Sequence, residues 1–234
     1  DPKGLVFDES RPTIIKTRVI GQQQQMLRID REEPGSLAPE AIYDLCQRLE
    51  LLVASVRALI VSDYAKGVIG PEVMDAVRSL CAARAIPWIV DPKPAHRAMY
   101  KGATLMTPNT KETSELAGLP AKSDAEVTAA GQMLLGNLGL QGLLITRSER
   151  GMALFAPDAD HREPWMIPTE AREVFDVSGA GDTVIAAFSA AVASGADWKE
   201  AAMLANAASG VVVAKVGTAT ATPAEILAHY IDQE

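Results

Sequence analysis

The sequence predicts an α/β protein built as a three-layer α/β/α sandwich around a mostly parallel sheet. Short apolar runs, typical of buried parallel strands, alternate along the chain with longer segments whose apolar residues recur at helical spacing. This alternation predicts β-α-β units with right-handed crossovers. Polar residues follow several of the runs, at the strand ends where such folds bind ligands. These polar ends are Ser62-Asp63, Asp91-Pro92-Lys93, Thr107-Pro108-Asn109 and Thr146-Arg147-Ser148.

Each element is predicted from its own pattern. Buried strands are expected at 58–63, 87–91, 103–107 and 142–146, with 151–155 as the hairpin partner of the last. Helices are expected at 38–53, 71–85, from 109 onward, and at 125–138, 180–194, 199–215 and 223–230. Residues 13–30 are extended and polar in pattern, contain a glutamine run at 22–25, and precede a break at 33–36.

The composition limits which partners and which cellular location are expected for this protein. The net charge is −8, and lysine and arginine are scattered, which argues against nucleic acid or an anionic membrane as a main partner. No apolar run is long enough for a membrane span, and no signal peptide is recognisable. Cys46 and Cys81 form no C-x-x-C pair and are expected to be reduced, buried thiols of a cytoplasmic protein.

The segment most informative about chemistry is 176–183, in which two glycines and an alanine lead into an apolar helix. Small residues let backbone N–H groups approach a ligand, and a helix N-terminus favours negative charge, so these amides can bind a phosphate. The carboxylate of Asp182 would then lie where it can accept a proton from an attacking hydroxyl. The alternative is that Asp182 only caps the helix. The segment matches neither a G-x-x-x-x-G-K-[ST] loop nor a G-x-G-x-x-G turn, which disfavours those two nucleotide folds.

This segment resembles the D-[TS]-[TSG]-G-A-G-D signature of the ribokinase-like (PfkB) carbohydrate kinases. Three further features occur in the order of that family. Residues 109–112 match its N-x-x-E motif, and 146–151 match its T-x-G-x-x-G turn with Ser148 in place of the first glycine. Asn206 falls where the family places an adenine-side residue. The resemblance implies a kinase with a ribokinase-like fold that uses ATP and Mg²⁺.

The resemblance also implies a role for each matching residue. Asp182 would deprotonate the sugar hydroxyl, while the backbone amides of 179–181 would stabilise the transferring phosphoryl group. Those amides belong to Gly179, Ala180 and Gly181. Glu112 would act on Mg²⁺, in part through water, with a surface acid as the alternative. The residues implied to bind the nucleotide are Asn109, Lys111, Glu112, Thr146, Ser148, Gly151 and Asn206. Asp176 and Ser178 resemble a monovalent-cation loop, which implies a K⁺ site.

Other segments resemble the heptose 7-phosphate kinases of bacterial lipopolysaccharide-core biosynthesis. These segments are 16–20, 24–30, 62–67, 91–93, 102–109, 144–149 and 215–218. The resemblance implies phosphorylation of the C1 hydroxyl of D-glycero-β-D-manno-heptose 7-phosphate to the 1,7-bisphosphate. A substrate that already carries a phosphate needs a cationic clamp. The candidates are Arg18, Arg28, Lys66 and Lys93, for each of which solvated surface charge is the alternative. Asp63 would accept hydrogen bonds from sugar hydroxyls.

The family's opening Gly-Asp strand and G-G-x-x-x-N segment have no counterpart here, so the resemblance implies an N-terminally truncated chain. Residues 1–35 would be the remnant of a β lid and sugar-binding region, and 36–234 the nucleotide-binding and catalytic core. Nothing matches the nucleotidyltransferase domain to which some relatives are fused. A homodimer through the lid is expected, since relatives pair there. A kinase for fructose, ribose or a hexose phosphate, and an inactive nucleotide-binding fragment, remain open alternatives.

Overall fold

The computed structural model describes residues 2–21, 24–33, 35–156, 163–171 and 174–231. In these ranges the strands are β1 (Ile15–Gly21), β2 (Gln24–Arg31), β3 (Leu59–Ser62), β4 (Trp88–Asp91), β5 (Leu105–Met106), β6 (Gly142–Thr146), β7 (Met152–Phe155) and β8 (Trp165–Ile167). Strands β3 to β8 form one sheet in sequence order. Strands β3 to β6 are parallel, and β7 and β8 are antiparallel additions. The predicted, mostly parallel sheet is therefore confirmed.

Two strands differ from the prediction. Strand β3 was expected to be buried, but it lies at the edge of the sheet, and the side chain of Ile60 is 41% exposed. The apolar composition of β3 does not reveal that it is an edge strand, because the same residues would suit a strand with neighbours on both sides. Strand β8 was not predicted, since three residues between two prolines are too short to show a period.

Helices cover both faces of the sheet and complete the predicted three layers. They are α1 (Pro39–Leu52), α2 (Pro71–Arg84), α3 (Thr110–Ala117), α4 (Asp124–Leu138), α5 (Ala180–Ala193), α6 (Trp198–Val213) and α7 (Pro223–Ile231). Alternation along β6 directs Leu143 and Ile145 into a core under α2, α3 and α4. Leu144 points the other way, into a second core under α5 and α6. None of the helices in the described ranges is long and apolar enough to cross a membrane.

The helix starts bring polar groups to the strand ends. Asn109 begins α3 with a capping box, in which its Oδ1 accepts from the amide of Glu112 (2.9 Å) and Glu112 Oε2 accepts from the amide of Asn109 (3.1 Å). Ser123 and Asp197 cap α4 and α6 in the same way. Helix α5 begins differently, with Gly179 in the left-handed region (φ 80°) and no side-chain cap.

Strands β1 and β2 form an antiparallel hairpin separate from the main sheet. Its two faces differ in chemistry, because side chains alternate along each strand. The charged face carries Lys16, Arg18, Arg28 and Asp30. The apolar face carries Ile15, Val19, Leu27 and Ile29, which are 44–53% exposed. Gln22 and Gln23 of the predicted glutamine run, and Pro34 of the predicted break, lie outside the described residues.

Polar contacts connect this hairpin to the core. Glu32, just after β2, forms an ion pair with Lys66 in the β3–α2 loop (2.8 Å). The guanidinium of Arg11 donates to the carbonyls of Gly35 and Lys66, both at 2.9 Å. The charged face of the hairpin is thereby held on the side of the core that carries the carboxyl ends of the strands.

Candidate active site

Four strand ends and one helix N-terminus meet at one edge of the sheet. The amide of Asp63, after β3, donates to the carbonyl of Asp91 at the end of β4 (3.1 Å). The amide of Thr146, at the end of β6, donates to the carbonyl of Pro108 next to Asn109 (3.0 Å). The polar strand ends that the sequence singled out therefore lie side by side, as parallel strand order requires.

Asp182 lies in the first turn of α5, where its side chain is exposed. Its Oδ1 accepts a hydrogen bond from the hydroxyl of Tyr64 at 3.2 Å. The N-cap position belongs to Gly179, and no side-chain bond caps the helix. The alternative reading of Asp182 as a helix cap is therefore wrong. Of the three amides expected to bind a phosphoryl group, that of Ala180 donates to the carbonyl of Val177 (3.2 Å).

The loop before α5 is organised around Asp176. The backbone amide of Ser178 donates to Asp176 Oδ1 at 2.8 Å. This bond, the Ser178 hydroxyl, the Gly217 amide and the charge of Arg18 together hold the pKa of Asp176 below its ordinary value, against the effect of burial. Arg18 on the hairpin is thus close enough to this loop for its charge to act there.

Three carboxylates, those of Asp63, Asp91 and Glu112, lie close enough to Lys93 for their charges to act on it. Its Nζ forms an ion pair with Glu112 Oε1 at 2.5 Å. Burial raises the pKa of Asp91 to about 6; the charge of Lys93 opposes this rise, while those of Glu112, Asp182 and Asp63 add to it. Burial alone would lower the pKa of Lys93, but its bond to Glu112 and the nearby negative charges raise it overall. Lys93 therefore stays charged at neutral pH.

Replacing Asp91 with Asn is expected to stabilise the protein at pH 8, with a gain that falls towards zero as the pH approaches 4. The pKa of Asp91 is higher in the folded chain than its ordinary 3.8, so the folded state binds more protons and stability falls as the pH rises between those values. A rise from 3.8 to about 6 corresponds to a gain of at most about 3 kcal/mol. The measurement is the free energy of unfolding of both proteins from pH 4.5 to pH 8, and a pH-independent difference would contradict this account.

A pocket of about 290 Å³ opens beside the N-terminus of α5. Its lining includes four of the residues expected to bind the nucleotide: Thr146, Ser148, Gly151 and Asn206. Ala180 and Gly181 line the same pocket, so it adjoins the turn that carries Asp182. The buried amide of Asn206 donates to the carbonyl of Pro168 at 2.7 Å, which fixes its side chain in the wall. A small, largely apolar pocket next to a charged reaction site is the usual form of a cofactor or substrate pocket.

The turn between β6 and β7 shapes one wall of this pocket. Gly151 has a φ of 75°, and a Cβ added there would lie 2.0 Å from the carbonyl oxygen of Ile167. Ser148 also has a positive φ (53°), at the position where the T-x-G-x-x-G pattern has its first glycine. The backbone keeps the shape that the glycine pattern predicts, although a serine occupies one of its positions.

The pfkB family carbohydrate kinase profile matches residues 1–225, nearly the whole chain. The chain belongs to the PfkB family. The bifunctional protein HldE of Desulfatibacillum aliphaticivorans is 45% identical over 231 residues, which cover 99% of this chain and 47% of that protein. The bifunctional protein HldE of Paramagnetospirillum magneticum is also 45% identical and covers 95% of this chain and 45% of that protein. The chain therefore spans about half the length of these curated relatives.

Solved structures of other kinases share the fold. The ribokinase of Arabidopsis thaliana complexed with ribose and ATP superposes with a TM-score of 0.72 at 21% identity, over 94% of this chain and 69% of that one. Phosphofructokinase-2 of Escherichia coli in complex with substrates and products gives a TM-score of 0.73 at 17% identity, over 94% and 70%. The ribokinase-like fold that the sequence predicted is confirmed.

The expected substrate residues occupy different environments in this PfkB domain. Asp63 is 1% exposed, and its carboxylate is used within the protein, by Tyr100, His96 and the amide of Ala65. Lys66 pairs with Glu32, and Lys93 pairs with Glu112. Arg18 and Arg28 lie directly opposite each other on the hairpin.

The expected nucleotide residues outside the pocket also have partners. Both carboxylate oxygens of Glu112 are engaged, one by Lys93 and the other by the amide of Asn109. The side chain of Lys111 is 85% exposed and lies 3.9 Å from Glu115. It lines an adjoining pocket that shares only Ser148 and Glu149 with the first.

Two residues of the site were not predicted. Tyr64 contacts Asp182, and Asp91 interacts with every carboxylate around Lys93. Both lie in segments that the sequence marked as polar strand ends, so their location was expected and their roles were not. A contact between residues so far apart in the chain leaves no pattern within a single sequence.

The donor set fits a hydrated magnesium ion and not an all-protein metal cage. In the described ranges, no group of three or more His, Cys, Asp or Glu side chains could hold a metal. Mg²⁺ in kinases keeps several waters and binds through one or two carboxylates together with substrate phosphates. Glu112, whose oxygens already have protein partners, suits contact through water.

Proposed function

We propose that this chain is the kinase part of a heptose 7-phosphate kinase, which transfers the γ-phosphoryl group of ATP to the C1 hydroxyl of D-glycero-β-D-manno-heptose 7-phosphate. The product is the 1,7-bisphosphate. The observation that carries the proposal is the exposed carboxylate of Asp182 in the first turn of α5, beside the pocket lined by Ala180 and Gly181. Support for the substrate comes from the relatives named HldE, which are 45% identical over nearly all of this chain.

The chemistry that this geometry allows is proton abstraction coupled to phosphoryl transfer. Asp182 takes the proton of the sugar hydroxyl as the hydroxyl oxygen forms its bond to the γ-phosphorus, and the bond from that phosphorus to ADP breaks. The N-terminus of α5 supplies positive potential where negative charge accumulates, and the amides of Gly179 and Gly181 would donate to the transferring group. The proton remains on Asp182 until solvent removes it.

The nucleotide would lie in the pocket beside α5, with its base toward Asn206 and its phosphates toward Ser148 and Gly181. When bound, magnesium would neutralise the charge of the phosphates, and the Glu112 carboxylate would contact the ion through water. Asn109 and Lys111 would contact the phosphates from α3. Asp176 and Ser178 would form the K⁺ loop, next to the residues that start α5.

The sugar phosphate would be held by Arg18 and Arg28. The two arginines are direct cross-strand partners on the charged face of the hairpin. Like charges directly opposite each other destabilise an antiparallel pair, and an anion bound between them would remove that repulsion. Asp30 already accepts from Arg28 (3.0 Å), whereas the charge of Arg18 reaches Asp176 in the loop before α5. Lys66 and Lys93, which have carboxylate partners, would contribute to the field around the sugar.

Replacing Arg18 with Met is expected to raise KM for heptose 7-phosphate by roughly 10-fold to 100-fold, because a hydrogen bond to a charged group is lost. KM for ATP should change less than about twofold, and so should KM for any unphosphorylated sugar. The assay is ADP release with magnesium and ATP, with heptose 7-phosphate, fructose 6-phosphate, fructose and ribose offered in parallel. Arg31→Met is the matched control, because Arg31 lies opposite Ile15 on the other face of the hairpin.

The same assay tests the proposed function. A clear preference of the unaltered chain for heptose 7-phosphate supports it, and a preference for another sugar identifies a different kinase of the same family. A loss in Arg18→Met that is equal for phosphorylated and unphosphorylated sugars would contradict the clamp. Turnover of none of the four sugars would contradict an active kinase in this chain.

The proposal includes the domain organisation and the partners. Residues 1–35 would form a lid and sugar-binding region, and 36–234 the nucleotide-binding and catalytic core, of a cytoplasmic protein. The hairpin presents four half-exposed apolar side chains on the face away from its arginines, and this surface would pair two copies in a homodimer.

A further inference from the structure

The side chain of Tyr64 extends from the β3–α2 loop to the start of α5. Its hydroxyl donates to Asp182 Oδ1 at 3.2 Å, although 56% of the side chain is exposed. Within the described ranges, Asp182 has no other side-chain hydrogen bond, and its Oδ2 has no donor. An exposed tyrosine side chain can ordinarily adopt several rotamers. The hydrogen bond from Tyr64 to the carboxylate proposed to accept the proton favours one of them, which indicates a role at the site.

The turn that directs Tyr64 is held in an unfavourable conformation. Ala65 has a φ of 51°, in the left-handed region that alanine disfavours. Its amide donates to Asp63 Oδ1 at 2.6 Å. The other oxygen of that carboxylate bonds the hydroxyl of Tyr100 and the Nδ1 of His96, each at 2.6 Å. A buried carboxylate with three partners therefore fixes the backbone on the C-terminal side of Tyr64.

The ionisation of Tyr64 agrees with this arrangement. Burial of its ring, the charge of Asp182 and the hydrogen bond to Asp182 raise the pKa of Tyr64 above its ordinary value, and Ser62 offsets part of the rise. The phenol thus stays protonated at neutral pH and can only donate to a charged carboxylate.

We propose that Tyr64 is the positioning residue of the Asp182 carboxylate. Its hydroxyl holds Oδ1, so that Oδ2 faces the incoming sugar hydroxyl, and Asp63 keeps Tyr64 in place through the Ala65 turn. Asp63 then acts from beneath the site and does not contact the sugar. The catalytic consequence rests on the proposed function, in which Asp182 accepts the proton, whereas the contact itself does not.

The Tyr64→Phe variant tests the catalytic consequence. It removes one oxygen and keeps the ring, and we expect kcat for sugar phosphorylation to fall about 10-fold, since a bond to a charged group that orients the carboxylate is lost. KM for ATP should remain within about twofold, because Tyr64 does not line the nucleotide pocket. Tyr43→Phe is the matched control, since Tyr43 lies on α1 and is 68% exposed. An unchanged kcat in Tyr64→Phe would overturn the proposal.

A second measurement tests the contact without any turnover. In protein labelled with ¹³Cζ-tyrosine, the Tyr64 signal is assigned by its loss in Tyr64→Phe and titrated by NMR. We expect Asp182→Asn to lower the pKa of Tyr64, because the negative charge beside the phenol is gone. An identical Tyr64 titration in both proteins would show that the two side chains do not interact and would overturn the proposal. Absence of sugar turnover in the unaltered chain would count against the proposed function alone, and the titration would still decide the contact.

Discussion

The Asp182→Asn variant is expected to lose about 10³-fold in kcat for sugar phosphorylation, within the range that a general base contributes. The asparagine has nearly the same shape and still accepts a hydrogen bond from Tyr64, but it cannot take the proton of the sugar hydroxyl. Because Asp182 is exposed in the first turn of α5 and does not cap the helix, the fold should tolerate the change. The loss should therefore appear in the chemical step and not in the stability of the protein.

The nucleotide supplies the control for this interpretation. Asp182 does not line the pocket beside α5, so the affinity for ATP, measured by calorimetry, should change less than about twofold. Asp75→Asn makes the same chemical change on the exposed surface of α2 and should keep full activity. A kcat within threefold of the unaltered protein would contradict the role of Asp182 as base. A parallel loss of ATP affinity would instead show that Asp182 supports the nucleotide site.

Most of the fold follows from local patterns in the sequence. The helix starts at Asn109, Ser123 and Asp197 form capping boxes, a signal carried by residues three positions apart. The strand β6 is predicted to the residue, because its apolar run is buried on both faces. The edge position of β3 could not be predicted in this way, since it depends on which strands are neighbours and not on the strand itself.

The small residues of segment 176–183 marked it as a candidate catalytic segment, but they did not predict which residues would surround it. Gly179 has the positive φ that a glycine at this position suggests, and the turn places Asp182 in the first turn of α5. The ion pair between Lys93 and Glu112 and the interactions of Asp91 arise only when β4 and α3 come together. The partners of the cation candidates could not be predicted from the sequence for the same reason. Lys66 and Lys93 gain carboxylate partners from distant segments, whereas Arg18 faces another arginine.

The structure places Asp63 in a different role from the one that the sequence predicts. Because Asp63 follows a strand end, the sequence predicts that its carboxylate binds sugar hydroxyls. In the folded chain it is almost fully buried and bonded to Tyr100, His96 and the amide of Ala65. A buried carboxylate satisfied in this way stabilises the loop above it, because leaving any of these donors unpaired would be costly. Its influence on the sugar would be exerted through Tyr64.

The Gly151→Ala variant is expected to be the most destabilising of the substitutions considered, at about 3 kcal/mol. Two costs combine there. The backbone conformation of Gly151 (φ 75°, ψ −126°) is one that alanine avoids, at a cost of about 1–3 kcal/mol. The added Cβ would also lie 2.0 Å from the carbonyl oxygen of Ile167 and 2.6 Å from the amide of Thr169, which are backbone atoms that cannot rotate away. Overpacking of this kind costs a further 1–3 kcal/mol or so.

The same change should weaken ATP binding, because Gly151 and Thr169 both line the pocket proposed to bind the nucleotide, and the strand β8 would have to move. Thermal unfolding should show a decrease in Tm of about 10 °C for a domain of this size. Gly136→Ala is the matched control: Gly136 lies in α4 with open space around the added Cβ, and alanine there should raise stability by about 0.5–1 kcal/mol. A Tm for Gly151→Ala within two degrees of the unaltered protein would mean that β7 and β8 separate easily. The wall of the proposed nucleotide pocket would then be adaptable instead of fixed. Loss of ATP affinity with an unchanged Tm would place the effect of Gly151 on the nucleotide itself, through the close approach of its backbone to the phosphates.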